Sequence, residues 1–327
     1  FRESNGGAPI ALYSAYSLHY VGGVPHGHVS SDYYGVYCQA LEKLMGSKRT
    51  HNNTPFVAAL ANGTSGDINN VNYAGPAEKK ASYEKIHEVA NDLAKRTFEA
   101  VSTVEWKKDA KVAAKFQVLD MTRKKITPEM AEWAKKTLEQ VGRVKGKGSI
   151  SEIYATRVNT LKDLDPNEKV PIQFLRIGDV AIGTTPTETF AETGLEFREK
   201  SPFKHSFMVE IAHDYLGYMP TPRHFELGGY ETWPGTNHLE PEASVKLMDA
   251  PLFIISHPYF LMAKHYLSPA LLSVLATCTL SAMLPSGSLH AWDVKEIQNA
   301  VNALDSSRTD LWYRAYLKVS SRLVRPS

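Results

Sequence analysis

Cysteine is nearly absent from this 327-residue chain, with only Cys38 and Cys278 present. Two thiols cannot build a disulfide framework, and no C-x-x-C spacing offers a redox pair or half of a zinc ribbon. Excess charge of one sign is missing too. With 37 basic and 35 acidic residues the formal net charge is +2, so the overall balance announces no nucleic-acid partner. G-x-x-x-x-G-K-[ST], G-x-G-x-x-G, G-x-S-x-G and H-E-x-x-H are all absent, which removes the common phosphate loops, the nucleophile elbow and the zincin helix. No initiator Met and no charged-then-apolar leader opens the chain, and within a dozen residues of Phe1 it reads as the interior of an element. It is therefore expected to be a piece of a longer protein, and the missing leader says nothing about compartment.

What is there is ordinary globular material, 43% hydrophobic, 22% charged and 10% aromatic, enough for about two domains or one large one. Residues 8–21 read as a buried strand leading into the loop Gly22–His28, and Ser30-Ser31-Asp32 offers N-cap chemistry for a helix through Leu44. Residues 55–61 form a short apolar strand followed directly by the loop Asn62-Gly63-Thr64-Ser65-Gly66-Asp67. Helical spacing runs over 78–101, and Thr127-Pro128-Glu129 starts a helix over 128–141. Residues 170–183 read as two strands around a Gly-Asp turn, with Arg176 as its polar neighbour. A helix over 186–200 opened by Thr187-Glu188 and a strand over 207–212 follow. Strands and helices interleave without a regular βαβ rhythm, so the fold class is α/β in the mixed, α+β sense: central mixed β-sheets flanked by helices.

Two tracts invite special readings. Residues 106–147 hold twelve Lys/Arg against five Asp/Glu, yet the charges fall between apolar positions on amphipathic elements and the few aromatics form no interleaved pattern that suggests base stacking, so a solvated face is expected and no nucleic acid. From Tyr266 to Leu284 the chain has no charged residue over 19 positions, the length of a membrane span. Pro269 and the Ser/Thr residues of that window favour a buried helical hairpin or a poorly ordered tail. The division expected is 1–249 for one domain and 250–327 for an apolar, then amphipathic, tail.

Polar residues at strand ends are the remaining candidates for chemistry, because open α/β sheets place their sites there. His19 follows an apolar strand, where a lone His is ordinarily a hydrogen-bonded structural residue; His26 and His28 nearby allow a metal reading on loop spacing alone. Glu188 at a helix start would favour the helix dipole. Tyr215, Tyr218 and Tyr230, around Pro220 and Pro222, would pack under a proline-rich loop. Asp32 has two roles open to it, N-capping and orienting His19 through the second ring nitrogen.

Taken as ordered blocks, the segments say more. Pro9-Ile10-Ala11 through His19, then Ser30-Ser31-Asp32-Tyr33-Tyr34-Gly35, Ala58 through Asn69, Ile182 through Phe190, and Tyr218-Met219-Pro220-Thr221-Pro222 through Thr232 resemble the amino-terminal catalytic domain of the neutral/alkaline non-lysosomal ceramidase family. The resemblance covers about residues 1–247 and none of the tail. It implies a zinc-dependent amidohydrolase that cleaves the amide of ceramide or a ceramide-like lipid, with His19, Glu188 and Tyr218 as zinc ligands and Tyr230 facing the scissile carbonyl. A further family ligand, a His in a Thr-His-Thr-His-type segment, would lie upstream of Phe1. The resemblance also implies association with a membrane surface and a secreted or periplasmic location.

One position departs from the family pattern. The family loop reads Gly-Asp-Val-Ser-Pro-Asn with an essential Ser, whereas here Gly66-Asp67-Ile68-Asn69-Asn70 places Asn69 at that position. An amide cannot act as an alkoxide nucleophile, so a metal-activated water mechanism survives the change and an acyl-serine mechanism does not. Two alternatives stay open, a catalytically silent lipid- or partner-binding domain and a metal-dependent ester or lactone hydrolase.

Overall fold

Among the described residues, the side chains that drive the fold sit at helical and strand periods around four apolar clusters. The computed structural model describes residues 1–4, 7–46, 55–76, 78–108, 110–141 and 149–256. In chain order the elements are β1 (Ala11–Tyr16), α1 (Asp32–Met45), β2 (Val57–Asn62), α2 (Glu84–Val101), β3 (Val112–Thr122), α3 (Pro128–Val141), α4 (Ile150–Leu161), β4 (Asn167–Ile177) and β5 (Val180–Thr184). Then follow β6 (Glu188–Thr189), α5 (Ala191–Lys200), β7 (His205–Val209), β8 (Tyr218–Met219), α6 (Pro222–Leu227), a 3-10 turn (Tyr230–Thr232) and α7 (Ala243–Ser256). The fold is mixed α/β, as expected.

β1 and β2 pair in parallel, Ala11 opposite Val57 through Tyr16 opposite Asn62. Helix α1 buries Tyr33, Tyr37 and Leu41, α2 buries Ile86, Ala90 and Ala94, and each set repeats every fourth residue on one stripe. The two stripes pack on each other with Phe56, Ala58 and Leu60. A second sheet runs β3-β4-β5-β7, antiparallel at the first two junctions and parallel between β5 and β7. Val170, Ile172 and Phe174 of β4 face Phe197 of α5 and Leu247 and Met248 of α7, while Leu175 joins Ile182, Val209 and Ala61 on the other side. β4 is thus buried on both faces at this end, which suits its run of apolar and β-branched residues. A short parallel pair, β6 with β8, completes the sheets.

Most expected elements are present, with informative exceptions. Thr127 caps α3, its hydroxyl accepting from Met130 N–H at 3.2 Å. The β4–β5 turn is Gly178-Asp179, where Gly178 has φ of 61° and its carbonyl accepts from Arg176 Nε at 3.0 Å. The expected helix over 186–200 is corrected at its start: Glu188 and Thr189 are strand β6, and α5 begins only at Ala191. The cause is a ladder of buried hydroxyls. Thr189 Oγ1 lies 2.7 Å from that of Thr185 and 2.9 Å from that of Thr187, and Glu188 N–H donates to Gly217 O instead of joining a helix. Strand β3 and helix α4 were not among the expected elements. α7 runs across the boundary expected at 249/250; the apolar tract 266–284 and the rest of the tail from 257 lie outside the described residues. Among the described residues no helix is long and apolar enough to cross a membrane.

Candidate active site

The loops that follow β1, β2, β5 and β7 leave the carboxyl ends of parallel pairs, the side on which α/β sheets gather their functional groups. Backbone bonds join these ends: Glu210 N–H donates to Asn62 O at 3.1 Å and Thr185 N–H to Val209 O at 3.0 Å. His19, Glu188, Tyr218 and Tyr230, far apart in sequence, meet there.

His19 stands three residues past β1, its backbone held from both sides. The hydroxyls of Tyr33 and Tyr34 donate to Leu18 O at 2.7 and 3.4 Å. On the far side Asp32 accepts from Val21 N–H and Gly22 N–H, both at 2.8 Å, and from Tyr33 N–H at 2.7 Å. The imidazole Nδ1 faces Ile68 O at 3.1 Å, so the tautomer that donates there leaves Nε2 with a free lone pair. Nε2 lies 3.3 Å from Glu188 Oε2 and 3.1 Å from the Tyr218 hydroxyl. Glu188 is fixed by its β6 backbone and by Tyr215, whose hydroxyl donates to Oε1 at 2.5 Å. Tyr218 follows Gly217 and pairs with Glu188 in β8–β6 register; Asn237 Nδ2 donates to its carbonyl at 2.9 Å. Tyr230, half exposed on the 3-10 turn, donates to the Tyr218 hydroxyl at 3.1 Å with the two rings edge to face.

Electrostatics follow from this geometry. The hydrogen bond to Glu188 raises the His19 pKa against the opposing effect of burial. Burial pushes Glu188 up, but bonds from His19, Tyr215 and Tyr218 outweigh it and hold the carboxyl below its usual range. Burial is the main cause that raises the phenols of Tyr215, Tyr218 and Tyr230, so all three are hydrogen-bond donors at neutral pH.

The donor set suits a zinc ion. Ligands about 2.0–2.1 Å from a tetrahedral zinc stand roughly 3.3–3.4 Å from one another, and the Nε2–Oε2 and Nε2–phenol separations are 3.3 and 3.1 Å. Among the described residues no group of three or more His, Cys, Asp or Glu is gathered to hold a metal; here the third donor is a tyrosine.

Other expectations are placed differently. Asp32 does not orient the His19 ring, because Nδ1 is taken by the Ile68 carbonyl; its bonds from Val21 and Gly22 N–H hold the His19 loop instead. Ser31, not Asp32, occupies the N-cap position of α1. Asn69 is exposed, its Oδ1 accepting from Asn70 N–H at 2.7 Å, and no bond brings it to the four-residue cluster. His28 bonds exposed to Tyr83 and His26 is exposed, so neither joins His19. Asn62 uses its Nδ2 in bonds to Ser65 and Glu210.

Glu210 is the group that motif reading missed. It is buried just after β7, and desolvation pushes its carboxyl up to about 8 despite bonds from Ser65 and Thr189. The available signal was a carboxylate inside the apolar run Phe207-Met208-Val209-Glu210-Ile211-Ala212.

No family model matches this chain and no curated protein is significantly similar to it in sequence. Solved structures do match. One is the neutral ceramidase of Pseudomonas aeruginosa, 17% identical over 74% of this chain and 43% of that one, with a TM-score of 0.49. Another is a ceramidase complexed with C2, 17% identical over 74% of this chain and 44% of that one, with a TM-score of 0.52. The chain spans less than half the length of these proteins, and at this identity the second likeness shows a ceramidase-like fold.

Proposed function

We propose that this chain is the zinc-binding part of an amidohydrolase that cleaves an N-acyl, ceramide-like lipid amide with water. The observation that carries the reading is the convergence of Glu188 Oε2 and the Tyr218 hydroxyl on His19 Nε2, at 3.3 and 3.1 Å, beside Tyr230, in a chain with the fold of a ceramidase. When bound, zinc supplies Lewis acidity and lowers the pKa of water from 15.7 to about 7.

The chain's own residues do the rest. His19 and Glu188 offer an imidazole nitrogen and a carboxylate, and Tyr218 a phenol oxygen, to the cation. Ile68 O holds the ring in the tautomer that presents Nε2, and Tyr215 holds the carboxylate. Tyr230 keeps its proton at neutral pH and presents it at the rim, where it can donate to a carbonyl oxygen that gains negative charge. Asn69 provides no nucleophile, so water is the attacking group.

The test is release of fatty acid from a labelled N-acylsphingosine by the longest available form of the protein, before and after chelation and with zinc restored. Release that is lost on chelation and recovered with zinc is expected. No release from amide, with zinc bound, would favour the silent or ester-cleaving alternatives.

A further inference from the structure

Glu210 is 3% exposed, and its carboxyl is fully engaged. Oε1 accepts from Asn62 Nδ2 at 2.7 Å and from Ser65 Oγ at 2.5 Å. Oε2 accepts from Ser65 N–H at 3.0 Å and from Thr189 N–H at 2.8 Å. None of these partners carries charge, and among the described residues no Lys or Arg forms an ion pair with Glu210. A buried carboxyl without a cation costs several kcal/mol on the order of its desolvation, and an apolar side chain of similar volume would ordinarily be the more stable choice. Stability alone therefore does not account for an acid here.

The bonds lead to the site along two short routes. Ser65, fixed at both N–H and Oγ, accepts from Ile68 N–H at 2.8 Å through its own carbonyl. Ile68 O in turn accepts from His19 N–H at 3.0 Å and faces its Nδ1 at 3.1 Å. On the other route Thr189 is the neighbour of Glu188 in β6, and Gly66 N–H donates to Thr189 O at 2.8 Å. The loop is tight: a Cβ on Gly66 would lie 2.5 Å from Glu188 O. One carboxyl thus ties the loop behind His19 to the strand that carries Glu188.

We infer that Glu210 is a positioning residue that sets His19 through Ser65 and Ile68, and Glu188 through Thr189. The inference deepens the proposed hydrolase reading and rests on its placement of the site at these two residues.

The test uses the whole chain as wild type, Glu210→Gln and Ser65→Ala, with Val158→Ala in the α3–α4 cluster as a control for lost stability. Two quantities are read: the ¹⁵N shifts of the His19 ring at a pH where it is neutral, and Co²⁺ affinity with its visible spectrum. Expected is an Nδ1–H tautomer in wild type, mixed tautomers in Glu210→Gln and Ser65→Ala, and Co²⁺ bound about 10- to 100-fold more weakly. Val158→Ala should lose thermal stability with both quantities unchanged. Folded Glu210→Gln and Ser65→Ala with wild-type tautomer and Co²⁺ affinity would overturn the inference, as would equal effects from Val158→Ala. Should Glu210→Gln fail to fold, Ser65→Ala, which removes only the two Oγ bonds to Glu210 and Asn62, decides alone. A wild type that takes up no Co²⁺ while the variants still scramble the tautomer supports positioning and refutes the metal reading instead.

Discussion

The imidazole Nε2 of His19 lies 3.3 Å from Glu188 Oε2, His19 standing in the loop after β1 and Glu188 in strand β6 of a different sheet. Their meeting beside Tyr218 brings three polar residues to one point, which under the proposed function is a ligand set with Tyr230 as a proton donor beside it. Each part of this arrangement predicts something different.

Tyr230→Phe removes the donor at the rim and none of the three cation-facing atoms. kcat should fall by about 10- to 10³-fold with KM little changed, the pattern of an interaction made in the transition state. Zinc content should stay at the wild-type level. Steady-state kinetics with metal analysis on the same preparation decides it; unchanged kcat would remove Tyr230 from the reaction.

Asp32→Ala strips three N–H groups of their acceptor at the start of α1 and the His19 loop. Bonds to a charged group contribute about 1.5–3 kcal/mol each, and rehydration of the partly buried Val21 and Gly22 N–H groups offsets part of this. Stability should drop by about 2–5 kcal/mol, seen as a Tm lower by roughly 5–15 °C. A calorimetric Tm equal to wild type would show the three bonds to be unimportant.

Glu210 makes the metal-free protein pH-dependent. Its carboxyl moves from 4.5 to about 8 on folding, so between those values the folded state holds a proton that the unfolded state has released. Stability from this group is therefore complete below about pH 4.5 and declines as pH rises towards 8. Urea midpoints across that range should fall with rising pH in wild type and less steeply in Glu210→Gln. A parallel slope in the two proteins would place the proton elsewhere.

Gly217→Ala attacks the approach to Tyr218. The residue has φ of +69°, and an added Cβ would lie 2.1 Å from Thr236 O, a backbone atom that cannot swing away. Strain in the left-handed region alone costs about 1–2 kcal/mol, and the clash adds to it. A loss of more than about 3 kcal/mol in chemical denaturation is expected, together with weakened metal uptake; wild-type values for both would contradict the geometry.

Much of this could be read from residues alone, for reasons that are physical. α1, α2 and α3 announce themselves by apolar stripes and a Thr-Pro start, and the β4–β5 hairpin by its Gly-Asp turn. β3 escaped because it is an edge strand with Lys115 and Asp120 exposed on opposite faces, so its charges made it look like part of a basic surface. Glu188 was misplaced into a helix because an acidic residue after Pro-Thr mimics a helix start, while the hydroxyl ladder that makes it a strand depends on contacts with Gly217 and Thr185. Asp32 and Glu210 show the same limit at the site. Which backbone N–H groups a carboxylate will meet is settled by loops that fold against it, and no local spacing encodes that.

Zinc bound per folded chain, measured by elemental analysis after exhaustive removal of loose metal, decides whether His19 and Glu188 form a metal centre. About one zinc in the longest available wild-type form, falling several-fold or more in folded His19→Ala and Glu188→Ala, is the expected result. Wild-type metal content in those two variants, or none in wild type itself, would contradict it.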